Sequence, residues 1–210
     1  RYGLPSLGSD IRNAYTWGDY TLYADIPEVV PTRNLPENHR YIGPVLWSTY
    51  TPLPDWWNSM PEDKPIVFLT LGSSGQASLM TMALLALSQV PVTVIAATAG
   101  RIAPSDVPAN AFIANYLPMG IATQCSQLVI CNGGSLTTYQ AFASGVPVIG
   151  MPTNLDQYLN TSLIVRQGAG LLVRGGEASL EAIRTAVLSV LREPRFTRAA
   201  QGLGAVIARY

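Results

Sequence analysis

The sequence predicts an α/β fold, a doubly wound and mainly parallel sheet with helices on both faces. Three observations lead there. The strand candidates are continuous apolar runs, as in residues 66–71, which is how a strand buried on both faces reads. They alternate with helical stretches of about ten residues, the pattern of strand–helix–strand crossovers. Several end in glycine-rich turns, and sheets of this kind bind ligands outside the carboxyl ends of their strands.

Each element follows from its own residues. Residues 1–64 read as an irregular arm. They hold eight of the 16 prolines and all four tryptophans, and proline at that density excludes long helices and central strands. Short strands are expected near 20–24 and 41–43, without a core of their own. From Pro65 the pattern becomes regular. The strand over 66–71 runs into Gly72-Ser73-Ser74-Gly75, and a Leu-, Met- and Ala-rich helix follows over 78–88. The β-branched run 92–96 and the stretch 111–115 are strands, and 120–125 is a short helix. The strand 127–131 meets Asn132-Gly133-Gly134, and the helix over 136–144 stops at Gly145. A strand over 146–150, a helix over 155–167 and a strand over 171–173 complete the alternation. Ser179 can cap a last helix that runs to about Arg192, where Pro194 interrupts it before further helix to Ala208.

Composition narrows the function classes. The 210 residues carry 13 basic and 13 acidic side chains, a balance that argues against nucleic acid as partner. Charged residues make up 12% against about 25% in an average chain, so part of the surface is expected to lie hidden against something else. No apolar run reaches the roughly 18 residues of a membrane span, and a cytoplasmic location is expected. The opening Arg1-Tyr2-Gly3-Leu4-Pro5 has neither an initiator Met nor a signal-peptide pattern and reads as the interior of a longer protein. Cys125 and Cys131 are too few for a disulfide framework or a zinc site. His39, in a polar stretch rich in Pro and Asn, is expected at the surface.

Three strand ends carry unusual residues. After the first come Gly72, Ser73 and Ser74, where glycine admits a ligand close to the backbone and the hydroxyls add donors. The second is Asn132-Gly133-Gly134-Ser135-Leu136-Thr137-Thr138, two glycines opening a hydroxyl-rich helix start whose N–H groups favour a phosphate or diphosphate. An ordinary cap by Ser135 is the plainer alternative. The spacing is neither Gly-x-Gly-x-x-Gly nor the Walker pattern, which weakens NAD and ATP readings. The third runs Gly145-Val146-Pro147 and then Pro152-Thr153-Asn154-Leu155-Asp156-Gln157. Its carboxylate and amide suit sugar hydroxyls, which both donate and accept; an Asp cap on the next helix is the alternative.

In this order and spacing the three segments resemble the C-terminal, donor-binding half of a GT-B glycosyltransferase of the UDP-glycosyltransferase-like group, family 1, over residues 65–210. That family's pattern is Trp-x-Pro-Gln, His-x-Gly-x-x-Ser/Thr-x-x-Glu, Gly-Val-Pro and Pro-x-x-x-Asp-Gln. Here it stands as Tyr116-Leu117-Pro118-Met119, then Asn132 to Gln140, then Gly145-Val146-Pro147, then Pro152 to Gln157. The family's Trp, Gln, His and Glu are replaced by Tyr116, Met119, Asn132 and Gln140.

The resemblance implies a Rossmann-like domain that binds a UDP-sugar or dTDP-sugar as substrate, with no other cofactor and no metal. By position, Tyr116 stacks on the base and the Leu117 backbone pairs with its edge. Gly72, Ser73 and Ser74 help hold the diphosphate; Asn132, Gly133, Gly134, Ser135, Thr137 and Thr138 form the main cradle. Gln140 faces the ribose, and Asp156 and Gln157 bind the sugar. It further implies that residues 1–64 are the end of an N-terminal acceptor domain and its linker, and that the catalytic base and the small-molecule acceptor pocket lie in that domain. An isolated chain would then be an inactive part of an inverting hexosyltransferase of bacterial type. Its apolar interdomain face, around Trp47–Trp57, would offer a surface for self-association. The competing readings are a non-catalytic sugar-nucleotide-binding subunit completed by a partner chain, and a sugar-nucleotide epimerase-like domain.

Overall fold

The structure is a computed structural model that describes residues 3, 6, 8–48, 50–61, 63–101 and 106–210. The opening residues Arg1, Tyr2, Leu4 and Pro5 lie outside it. Two short arm strands, β1 (Thr21–Tyr23) and β2 (His39–Tyr41), pair in parallel. The second lies two residues earlier than expected. Its partner ends at Tyr23, so the ladder closes with Ile42 N–H donating to the Tyr23 carbonyl at 2.9 Å. This pairing also corrects the reading of His39, which is buried. Its Nδ1 is 2.8 Å from the Tyr23 hydroxyl, and the two rings meet edge-on.

The remaining elements follow the expected alternation. They are β3 (Ile66–Thr70), α1 (Ala77–Leu87), β4 (Thr93–Ala97), β5 (Ala111–Ala114), α2 (Met119–Gln124), β6 (Leu128–Cys131), α3 (Ser135–Ala143), β7 (Val148–Gly150), α4 (Leu155–Arg166), β8 (Gly170–Leu172), α5 (Leu180–Arg192) and α6 (Pro194–Ile207). The six strands β3 to β8 form one parallel sheet in the order β5-β4-β3-β6-β7-β8. The chain starts at the centre, builds outward on one side, then returns to build the other. The order therefore reverses between β3 and β6, and such a switch point opens a crevice at the carboxyl ends of the strands.

Both faces of the sheet are buried, which is why the strands read as unbroken apolar runs. Val67 and Leu69 enter one core with Leu84, Leu87 and Val187, while Phe68 enters the other with Phe142, Ile164 and Leu203. Successive strand side chains point to opposite faces, so the strand interiors are apolar on both, with buried Thr70 and Thr93 at strand ends. Ser179 caps α5 by accepting the Ala182 N–H at 3.1 Å. Pro194 opens α6, where its missing N–H costs nothing.

The arm has no core of its own but contributes to the second one. Ile26 and Val29 are buried there. Asp25 accepts the Tyr139 hydroxyl of α3 at 2.6 Å, and burial together with that carboxylate pushes the Tyr139 phenol well above its ordinary range. Trp56 and Trp57 stack on each other, and Trp56 packs on Phe112 and donates to the Ile113 carbonyl at 3.2 Å. These two tryptophans are thus packed on the sheet edge. The exposed apolar stretch is narrower than expected and centres on Val45, Leu46, Trp47, Tyr50 and Leu53. No helix among the described residues is long and apolar enough to cross a membrane.

Candidate functional site

Strand register brings the predicted segments together. Thr70, the last residue of β3, pairs with Ala97 on one side and Cys131 on the other, and Cys131 pairs with Gly150. The strand ends therefore lie in one row. The turns after β3 and β6 flank the switch point, with the turns after β5 and β7 on either side.

The turn after β6 is built by glycine. Gly133 has φ +85°, a left-handed conformation that side chains resist. A Cβ there would fall 2.2 Å from Thr161 Oγ1 and 2.8 Å from the Gln157 carbonyl oxygen, both on α4. Glycine thus lets α3 start directly against α4. The N-cap of α3 is Gly134, and no side chain caps it, so the expected alternative of a Ser135 cap does not hold. The first N–H groups of a helix have no partner within it, and here they open at the carboxyl edge of the sheet with the positive end of the helix dipole.

Beside this helix start lies a cleft of about 230 Å³ that is open to solvent. Tyr116, Leu117, Met119, Gly72, Ser73, Leu136 and Thr137 line it. The Tyr116 side of the cleft presents an aromatic face that is 53% exposed. Four other predicted residues take different places. Thr138 is buried, and its hydroxyl donates to the Ser135 carbonyl at 2.9 Å and accepts from Asn160 Nδ2 at 3.1 Å. Gln157 is 3% exposed and bonded inside the protein: Oε1 accepts the Thr153 N–H at 3.0 Å, and Nε2 donates to Ser74 Oγ at 3.0 Å. The packing of α4 against the turns after β6 and β3 claims their polar atoms. Gln140 is half-buried beside Gly120 of α2. Asp156 is exposed in the first turn of α4. It is not that helix's cap, since Asn154 accepts the Gln157 N–H at 3.0 Å. The Asp156 carboxylate makes no hydrogen bond or ion pair among the described residues.

Cys131 ends β6 directly before the cradle. Burial pushes its thiol up to about 12, although the Gly133 N–H faces the sulfur. A thiol held in that form is a core residue and no nucleophile, since only the thiolate attacks. No group of three or more His, Cys, Asp or Glu among the described residues is placed to hold a metal ion.

A family model described as the erythromycin biosynthesis protein CIII-like, C-terminal domain, matches residues 81–208. The chain belongs to this family. A PGL/p-HBAD biosynthesis glycosyltransferase of Mycobacterium tuberculosis is 55% identical over 203 residues, which cover 97% of this chain and 47% of the relative. A PGL/p-HBAD biosynthesis rhamnosyltransferase of Mycobacterium bovis is 51% identical over 209 residues, 100% of this chain and 46% of the relative. The chain thus spans about half the length of the curated relatives it matches. The solved structure of spinosyn rhamnosyltransferase SpnG complexed with thymidine diphosphate is similar in fold, with a TM-score of 0.77 and 22% identity over 91% of this chain and 53% of that one. The GT-B C-terminal fold expected from the motifs is therefore the observed one.

Several residues around this cleft escape sequence reading. Trp47 and Ser48 of the arm line the same cleft as Tyr116, and Ser48 Oγ accepts the Met119 N–H at 3.0 Å at the start of α2. The contact joins residues 71 apart in the chain, and nothing local announces it. Asn160 holds the Gly133 carbonyl at 2.6 Å as well as Thr138; its place one helical turn after Asp156 was the available signal. Arg101 donates to the carbonyls of Ser73 and Gly75 and so braces the β3 turn from the loop after β4.

Proposed function

We propose that this chain holds the sugar-nucleotide donor of an inverting glycosyltransferase, with UDP or dTDP as the nucleotide. The observation that carries the reading is the uncapped start of α3 at the switch point, flanked by the Gly72–Ser74 turn and an aromatic-lined cleft. The base would stack on Tyr116, with the Leu117 backbone at its edge. The diphosphate would accept from the N–H groups at Ser135 and Thr137 and from the Ser73 and Ser74 side of the crevice. Asp156, exposed and without a partner among the described residues, would accept from sugar hydroxyls, and Gln140 would lie toward the ribose. A relative's thymidine diphosphate complex and the glycosyltransferase and rhamnosyltransferase names of others support a sugar nucleotide as the ligand class.

The chemistry follows from charge. An acceptor hydroxyl attacks the anomeric carbon, a base takes its proton, and the bond to the diphosphate breaks as the nucleotide leaves. Negative charge grows on the leaving diphosphate, where preorganised N–H groups and a helix dipole stabilise it most. In this reading the base and the acceptor pocket belong to an N-terminal half. Residues 1–64 are the end of that half and the linker, residues 65–210 are the donor domain, and the exposed Val45–Leu53 side is where the other half or a second copy would pack.

Thermal melting tests the reading. UDP or dTDP at 100 times its dissociation constant, with chelator present, should stabilise the chain by about 2.7 kcal/mol. For a domain of this size that is a rise of roughly 5–11 °C. No shift with either nucleotide at millimolar concentration would contradict it.

A further inference from the structure

The amides around Ser74 have their orientation set by groups that can only donate. Asn132 Oδ1 accepts the Gly134 N–H at 3.1 Å, so the other end of that amide, Nδ2, is the one 3.1 Å from Ser74 Oγ. Gln157 Oε1 accepts the Thr153 N–H at 3.0 Å, so Nε2 is the end 3.0 Å from the same oxygen. A backbone N–H cannot accept, which excludes the flipped amides. A serine hydroxyl has two lone pairs and one proton. Both lone pairs of Ser74 are taken by amide donors, although the residue itself is exposed at the crevice.

We propose that Asn132 and Gln157 are positioning residues that act through Ser74, filling its lone pairs so that its hydroxyl serves only as a donor to an unprotonated phosphate oxygen of the ligand. The proposal rests on the donor-site reading above and deepens it. Two donors to one hydroxyl polarise it cooperatively, and its bond to an anionic oxygen is charge-assisted. A hydroxyl held in this way can only donate, so it favours an anionic phosphate oxygen, the stronger acceptor, over a sugar hydroxyl. The arrangement also gives Asn132 and the buried Gln157 a role without direct contact with the sugar.

Calorimetry on the 210-residue chain tests this, with UDP, dTDP and the phosphate-free nucleosides uridine and thymidine as probes. Ser74→Ala is expected to weaken both diphosphates tenfold or more, the effect of a hydrogen bond to a charged group, and to leave nucleoside binding within about twofold. Ser74→Thr, which keeps the hydroxyl, should restore most of the loss. Gln157→Met should weaken the diphosphates in the native background but cost less than about twofold more in Ser74→Ala, because coupled residues do not add. Diphosphate affinity that survives Ser74→Ala within twofold, or losses that add in the double variant, overturn the proposal alone. A native chain that binds neither UDP nor dTDP overturns the donor reading and this proposal with it.

Discussion

Gly133→Ala is expected to destabilise the chain by about 2–5 kcal/mol and to abolish nucleotide binding. A left-handed backbone costs an L residue about 1–2 kcal/mol, and overpacking adds about 1–3. The new methyl would stand 2.2 Å from Thr161 Oγ1 and 2.8 Å from the Gln157 carbonyl. Thr161 is fully buried and bonded to that same carbonyl at 2.8 Å, so it has no room to turn away. The strain can relax only if α3 moves from α4, which displaces the helix start proposed to hold the diphosphate. Urea unfolding reads the first effect and calorimetry the second. Adding Thr161→Ala should recover part of the stability and little of the binding, because the backbone clash remains. A Gly133→Ala chain with native stability and affinity would contradict the geometry.

Tyr116→Ala should leave the fold intact and weaken UDP or dTDP by about 1–3 kcal/mol, the usual worth of a base stacked on an aromatic ring. That is roughly a five- to 150-fold loss of affinity. The ring is half exposed at the edge of the cleft, so its removal opens no core cavity. Tyr116→Phe keeps the stacking face and should bind within about twofold of native. Calorimetry decides. Unchanged affinity in Tyr116→Ala would place the base elsewhere, with Trp47 on the same cleft as the next aromatic to test.

The sheet could be read from the sequence because its signals are local and repeated. Each strand buried on both faces must be apolar through its interior, and each glycine-rich turn marks the strand end before it. What the sequence did not show lies in contacts between distant segments. His39 sits among polar neighbours in sequence, yet Tyr23 of the paired strand buries it. Gln157 looks like a ligand residue in its motif, yet the turn after β3 lies 83 residues away and takes its amide. Thr138 is claimed in the same way by Asn160 of the next helix. Residue type was a good guide to which segments meet at the site. It did not show which polar side chains are already bonded within the protein, because buried polar atoms are satisfied by whatever packs against them.

A structure of the chain crystallised with dTDP or UDP tests the central claim most directly. The account predicts phosphate oxygens at hydrogen-bond distance, about 2.7–3.2 Å, from N–H groups in the first turn of α3 and from Ser74 Oγ, with the base flat against Tyr116. Nucleotide seated away from the β3–β6 switch point, or phosphates that do not touch the start of α3, would contradict it.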